Sequence, residues 1–105
     1  MYQPTTIGLA GERAVIVWLR QNGWTIKRWD TSAPGATDIE AQAQWKKLLV
    51  QVKAAIIPGI PSYLSLDEFR KIRLRAKIAK AEAWEARVKL FSNLNPVDMK
   101  WRQIS

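Results

Sequence analysis

A lysine inside a long apolar run is the feature that most constrains what this chain can fold into. The run spans residues 48–57, and Lys53 lies in its second half. A run of this kind is typical of a strand that is covered on both faces. An ammonium group there is unfavourable unless it meets a carboxylate or lines a cleft. We therefore expect the fold to bring an acid to Lys53 or to open a cleft beside it.

The segment before this run predicts a second strand, over residues 36–43, that carries two acids. Strand alternation places Asp38 and Glu40 on one face of that strand, and Gln51 and Lys53 on one face of the next. If a hairpin pairs the two strands in register, two carboxylates, an amide and an ammonium converge on one spot.

The remaining patterns predict a single α/β domain over residues 1–105. Gly23 ends a first helix in the position where a left-handed residue is most easily accepted, and Ser65 followed by acids begins a second helix. Two prolines and a glycine after the third strand end the sheet there. We expect a central mixed sheet of about five strands flanked by helices, in the order α-β-β-β-α-β-β. The predicted ranges are helix 7–22, strands 24–29, 36–43 and 48–57 with a hairpin at 44–47, helix 66–81, and strands 84–90 and 99–104.

Two residue types that support common catalytic and metal sites are missing from the sequence. The chain has no cysteine, which excludes disulfides and thiolate metal sites. It also has no histidine, the commonest general base and the usual zinc ligand. Chemistry in this chain therefore depends on carboxylates, lysine and oxygen-preferring metals such as Mg²⁺ or Mn²⁺.

The charge balance favours a polyanionic partner. The chain has 17 basic and 9 acidic side chains, a formal net charge of +8. A solvated basic surface is the simpler explanation, but the cations are clustered, and few acids relieve their repulsion after Glu68. We expect the clusters to contact nucleic-acid phosphates. They are Arg70, Lys71, Arg73, Arg75, Lys77 and Lys80 in the second helix, with Lys46 and Lys47 in the hairpin.

Nothing in the sequence suggests a membrane partner. The N-terminal residues lack a basic region followed by an apolar stretch, and no window approaches the roughly 20 apolar residues that a bilayer-spanning helix needs. We therefore expect a soluble cytoplasmic protein.

One acid of the first predicted helix lies in an unusual position. Helical spacing places Glu12 on the same face as Val15, Ile16 and Leu19, which is the face that packs inward. A carboxylate near the start of a helix interacts favourably with the helix dipole. That explains the residue type but not its inward face, so a functional role stays open.

Three fragments together resemble a known superfamily. They are Gly8-x-x-Gly11-Glu12, then Gly35-Ala36-Thr37-Asp38-Ile39-Glu40-Ala41, then Leu49-Val50-Gln51-Val52-Lys53. In this order and spacing they resemble the PD-(D/E)XK nucleases, and within them the small proteins related to archaeal Holliday junction resolvases. The resemblance covers residues 8–57 well and the basic helix more loosely. It implies a restriction-endonuclease-like fold.

The resemblance also implies an activity and a set of site residues. In the family, the helix glutamate, the strand aspartate and the acid of the acid-x-lysine element bind one or two Mg²⁺ ions, and the lysine orients or activates water. The matching positions are Glu12, Asp38, Gln51 and Lys53. The implied function is metal-dependent cleavage of DNA, duplex or branched, with selectivity for branched DNA as a further expectation. Cutting a junction needs two sites related by symmetry, so a homodimer is a hypothesis.

The chain departs from the family at one position, because Gln51 stands where an acid is usual. An amide oxygen can bind Mg²⁺ but brings no charge. Glu40 on the neighbouring strand can supply that charge, and the carbonyl of Val52 is a further candidate ligand.

Two other functions remain open from the sequence. In the first, Asp38, Glu40 and Lys53 form a fixed ion-pair cluster in a nuclease-like protein that binds DNA without cutting it. In the second, the chain is a basic RNA-binding domain in which exposed Trp29 and Trp45 stack on unpaired bases.

Overall fold

The structure is a computed structural model that describes residues 2–29 and 38–105. These residues form a mixed five-stranded sheet in the order β1-β2-β3-β4-β5, in which β3 and β4 are parallel and the other neighbours antiparallel. The elements are α1 (Pro4–Gln21), β1 (Thr25–Trp29), β2 (Ile39–Ala43), β3 (Lys46–Ile56), α2 (Leu66–Ala79), β4 (Glu82–Leu90) and β5 (Pro96–Gln103). The predicted α/β class and order of elements are confirmed.

Several predicted boundaries are wrong by a few residues. Helix α1 begins at Pro4, three residues early, because proline suits the first helical turn. Strand β3 begins at Lys46, so the hairpin is only two residues long, with Gln44 in the left-handed region. Helix α2 ends at Ala79, where Lys80 takes left-handed angles. Strands β4 and β5 each begin earlier than expected, and the predicted second-strand residues 36 and 37 lie outside the described residues.

Helix α1 covers one face of the sheet. Its buried residues Val15, Ile16 and Leu19 pack in a cluster with apolar residues of β2, β3 and β4. The contact is close at Gly11, where an added Cβ would lie 2.6 Å from Cβ of Ala54 on β3. Gly8, in contrast, has open space around it. The glycine at position 11 therefore has a packing reason, and it directly precedes Glu12.

Helix α2 covers part of the opposite face. Ile72 and Ala76 pack with Leu49 of β3 and Ala83 of β4 in a second, smaller cluster. The helix begins at the serine followed by acids that the sequence predicts, and the structure shows that these residues form a capping box: the Ser65 hydroxyl accepts from Glu68 N at 3.1 Å, and the Glu68 carboxylate accepts from Ser65 N at 3.0 Å. Because α2 starts over β3, its first turn lies beside the second half of that strand.

Across residues 2–29 and 38–105, neither helix combines the length and the hydropathy that a bilayer crossing requires.

Candidate active site

Asp38 is joined to β3 at the point where the acid-x-lysine element begins. Its backbone N donates to the Val50 carbonyl at 3.0 Å, and its Oδ2 accepts from Val52 N at 2.7 Å. The pairing of Ile39 with Val50 continues one step to bring Asp38 opposite Gln51. The in-register hairpin expected from the sequence is therefore present, and it places Asp38 against Gln51 and Val52.

Gln51 presents a buried oxygen with no partner. The residue is 5% exposed, and within the described part of the chain its Oε1 has no hydrogen-bond donor. Such an atom can accept from a water or bind a cation, because a native fold rarely leaves a buried polar group unpaired. With the Asp38 carboxylate it forms a pair of hard oxygen donors of the type that Mg²⁺ and Mn²⁺ prefer. The residues present therefore fit a divalent cation, though Gln51 contributes no charge.

Lys53 meets a carboxylate from the first turn of α2. Its Nζ donates to Oε2 of Glu68 at 2.7 Å, with both side chains about one quarter exposed. Burial alone would raise the pKa of Glu68, but the hydrogen bonds from Lys53 and from Ser65 outweigh burial and hold that pKa below its ordinary value. Glu68 is thus an ionised partner that fixes the lysine. The sequence predicts Glu68 in the first turn of this helix, whereas its contact with Lys53 is found only in the structure.

Glu40 lies next to Asp38, on the side away from Lys53. It pairs in register with Leu49 and with Arg28. A cavity of about 160 Å³ opens here between the sheet and the second half of α2. Asp38 and Glu40 line it together with Arg28 and Arg75, so two arginines face the two carboxylates.

Glu12 is held at the edge of the sheet by a tryptophan. Its Oε1 accepts from Nε1 of Trp29 at 2.7 Å. Trp29 is half-buried and packs against the cluster under α1, so the prediction that it is an exposed stacking residue is wrong. Trp45, at the β2–β3 turn, is 94% exposed as predicted.

The acids of the described residues do not form a compact group. In the described ranges, 2–29 and 38–105, no three acidic side chains lie close enough together to hold a metal ion. The structure brings Asp38, Gln51 and Lys53 to one face of the sheet with Glu40 beside them. Val52 lies between Gln51 and Lys53 in β3, its side chain packs in the cluster under α1, and its backbone N donates to Asp38.

The predicted basic clusters divide into different environments. Arg75 faces the acidic cavity, whereas three other cations of α2 line a separate cavity of about 490 Å³ on the other flank of the helix: Arg70, Arg73 and Lys77. Lys71 pairs with Asp67 at 2.9 Å, and Lys80 ends the helix. Lys46 pairs with Glu82 at 3.3 Å, and Lys47 is exposed at the start of β3. The basic surface therefore extends along both sides of α2.

A buried acid on β4 was not expected from the sequence, whose alternation predicts a half-exposed strand. Glu85 has no exposed area and lies beside Gln51 in the β3–β4 register. Its Oε2 accepts from Leu64 N at 2.7 Å and from Nη2 of Arg102 at 3.0 Å, while Nε of Arg87 lies 3.7 Å from Oε1. A strand pattern gives the face of a residue but not what covers it, so this burial was missed.

Comparison with solved structures gives a clear similarity of fold. The chain is similar to Hjc, a Holliday junction resolvase from the archaeal hyperthermophile Archaeoglobus fulgidus, with a TM-score of 0.73 and 24% sequence identity over 92% of this chain and 77% of that chain. The chain matches no protein-family model, and no curated protein matches it by sequence. The resemblance to Hjc-like proteins and the restriction-endonuclease-like fold are confirmed.

Proposed function

We propose that this protein is a metal-dependent DNA endonuclease of the junction-resolving kind. One observation carries the proposal: the hydrogen bond from Val52 N to Oδ2 of Asp38 holds the strand acid against the Gln51-Val52-Lys53 element. The similarity in fold to a Holliday junction resolvase supports the same function.

Asp38 and the Gln51 amide oxygen are the groups that would hold the cation, with Glu40 adding negative charge from the neighbouring position. A divalent cation bound there would polarise the phosphoryl group and make hydroxide accessible near neutral pH. Asp38 is oriented toward Gln51 and Val52 by its hydrogen bond to the backbone of β3. Gln51 lies in β3, between β2 and β4, and its Oε1 has no hydrogen-bond donor among the described residues.

Lys53 supplies positive charge on the same face of β3 as Gln51. In this role its ammonium donates to a phosphoryl oxygen and stabilises the charge that develops there. Glu68 orients that ammonium from the first turn of α2. Because α2 also carries the larger basic cluster, the helix that binds phosphates is the helix that positions the lysine.

A second candidate function is a DNA-binding module of this fold that does not cut. It is favoured by the neutral Gln51 and by the lack of a three-acid cluster among the residues described. Its Lys53–Glu68 pair would then serve stability alone.

Cleavage of a four-way junction and of a duplex with the same arm sequences separates the two candidates. Mg²⁺ or Mn²⁺ should support nicking, while Ca²⁺ should support binding without it. Asp38→Asn should lose cleavage and keep DNA affinity. Asp98→Asn, which changes an exposed acid on β5, is the matched control and should cut normally. Binding of DNA by the wild type with no cut in any of these metals would establish the second candidate.

A junction offers two equivalent strands, so we further propose that the active form is a homodimer. Light scattering tests this directly. A monomeric mass under conditions of full junction cleavage would refute it.

A further inference from the structure

Arginines and aromatic rings alternate along the surface beside the N-terminal half of α2. The Arg73 guanidinium lies 5.8 Å from the centre of the Phe69 ring, and that of Arg102 lies 5.7 Å from the same ring. Arg102 is also 5.1 Å from the centre of Tyr63, and Arg87 is 3.9 Å from it. We call this row, Arg73, Phe69, Arg102, Tyr63 and Arg87, the arginine–aromatic ladder. It runs from α2 across β5 to β4.

The ladder is built on a buried anchor. Glu85 is fully buried, and it holds Arg102 by a 3.0 Å bond and lies 3.7 Å from Arg87. The same carboxylate accepts from Leu64 N at 2.7 Å, which fixes the loop that carries Tyr63. One carboxylate thus orients two guanidinium groups and one ring. The group formed by Arg87, Arg102 and Glu85 has two positive charges and one negative charge, so its net charge is positive.

Tyr63 is the exposed member of this arrangement. Arg87 lies against its ring, yet 58% of the residue remains in solvent. The ring packs against the Arg87 guanidinium and lies near that of Arg102, and the loop that carries it is fixed at the next residue, so its exposed area is a preformed stacking surface. It needs little ordering on binding.

The ladder adjoins the candidate active site. Arg87 is the register partner of Lys53 in the parallel β3–β4 pair, and their side chains share the α2 face of the sheet. Neighbouring strands are about 4.8 Å apart, so a DNA strand at Lys53 reaches the ladder within one or two nucleotides.

We propose that the ladder is a docking surface for DNA at a branch point, with the arginines on phosphates and the Tyr63 ring stacked on a base exposed there. The proposal rests on the proposed function. A continuous duplex keeps its bases stacked within the helix, whereas opening the stack at a branch point exposes the faces of the bases beside it. Tyr63 therefore discriminates branched from linear DNA, and the arginines contribute to both.

The test is the ratio of affinities for a four-way junction and for a duplex of the same arm sequence, measured in Ca²⁺ to prevent cutting. Tyr63→Ala should weaken junction binding by roughly five- to a hundredfold and leave duplex binding nearly unchanged. Tyr63→Phe keeps the ring and should keep the ratio. Leu64 is 8% exposed and bonded to Glu85, so the loop stays anchored in both variants, which a thermal melt verifies.

Trp45→Ala is the matched control, because Trp45 is an exposed aromatic residue at a distant turn. An unchanged ratio in Tyr63→Ala overturns the inference while leaving the proposed function intact, and so does loss of the ratio in Tyr63→Phe. If the ratio changes in Trp45→Ala and not in Tyr63→Ala, the stacking contact lies at the β2–β3 hairpin. That result also overturns the inference. Absence of DNA binding by the wild type refutes the proposed function itself.

Discussion

Lys53 and Glu68 are joined by a 2.7 Å hydrogen-bonded ion pair between the middle strand of the sheet and the first turn of α2. The carboxylate closes two contacts at once, because its other oxygen accepts from Ser65 N at 3.0 Å. The position of the lysine is therefore coupled to the start of the basic helix, and the following predictions test this coupling and the site around it.

Glu68→Gln should slow DNA cleavage about tenfold, because the lysine loses the charged group that orients it. Glutamine can still cap the helix. DNA affinity should rise slightly, since one negative charge is removed near the phosphates. Cleavage rates at saturating DNA and binding constants measure the two effects separately. Asp67→Asn, which removes an exposed acid from the same turn, is the control. If both variants cut equally well, Glu68 has no positioning role.

The Glu68 pair should make stability depend on pH. The pKa of Glu68 in the folded protein lies below the ordinary value of 4.5, so the unfolded chain binds the proton first as pH falls. The contribution is complete above that value and is lost as pH falls through the folded-state pKa. Melting temperatures from pH 7 to pH 3 should show wild type a few degrees above Glu68→Gln at neutral pH, with the gap closing in acid. A gap that stays constant would contradict the assignment.

Lys53→Met should reduce cleavage at least a hundredfold, a loss typical for removal of a group that stabilises transition-state charge. DNA affinity should change little, because the basic helix remains. Single-turnover cleavage and equilibrium binding on the same junction give both values. Lys27→Met removes an exposed lysine of β1 and should cut at the wild-type rate. Equal loss in both variants would point to general charge rather than to a catalytic lysine.

Neutralising Arg70, Lys71, Arg73 and Lys77 should weaken DNA binding uniformly across sequences. The slope of log affinity against log salt should fall by about one unit for each phosphate that the helix no longer neutralises. Titrations at several salt concentrations measure this slope. The pair Arg13→Gln and Arg20→Gln changes exposed cations of α1 and should have a smaller effect for each charge removed. Unchanged affinity and slope in the α2 variant would remove this helix from the DNA interface.

Glu40 and Gln51 should be coupled through a shared cation. Glu40→Gln should nearly eliminate metal-dependent cleavage, and Gln51→Glu in the same chain should restore part of it. Mn²⁺ affinity and cleavage rate, measured over the double-mutant cycle, should be strongly non-additive. Wild-type cleavage by Glu40→Gln would make Glu40 a bystander, with glutamine acting as a neutral ligand.

The face of each residue in the hairpin could be predicted from the sequence, and the partner of Lys53 could not. Strand alternation has a period of two, so it placed Asp38 with Gln51 and Lys53 once the two-residue turn set the register. Glu68 reaches Lys53 only because the segment between β3 and α2 folds back over the sheet. Its path is held by Leu64 N on Glu85, a contact across 21 positions of the chain.

The burial of Glu85 and the position of Glu12 show the same limit. Alternation assigns Glu85 to the α2 face, but only the docked loop and Arg102 remove it from water. Helical spacing predicts that Glu12 faces inward, and the structure shows that the Trp29 indole donates a hydrogen bond to its carboxylate. The residues that share one face of a helix or strand follow from a regular repeat in the sequence. Contacts between elements depend on the paths of the loops, which follow no such repeat.

Because Gly11 has no side chain, the first helix can approach Ala54 of the sheet closely. A single methyl group at position 11 would lift α1 away from β3, and Glu12, the next residue, would travel with it. The position of the Glu12 carboxylate therefore depends on the absence of a side chain at residue 11. Gly11→Ala would shift the Glu12 carboxylate without altering one polar atom, and Gly8→Ala, which meets open space, would leave it in place.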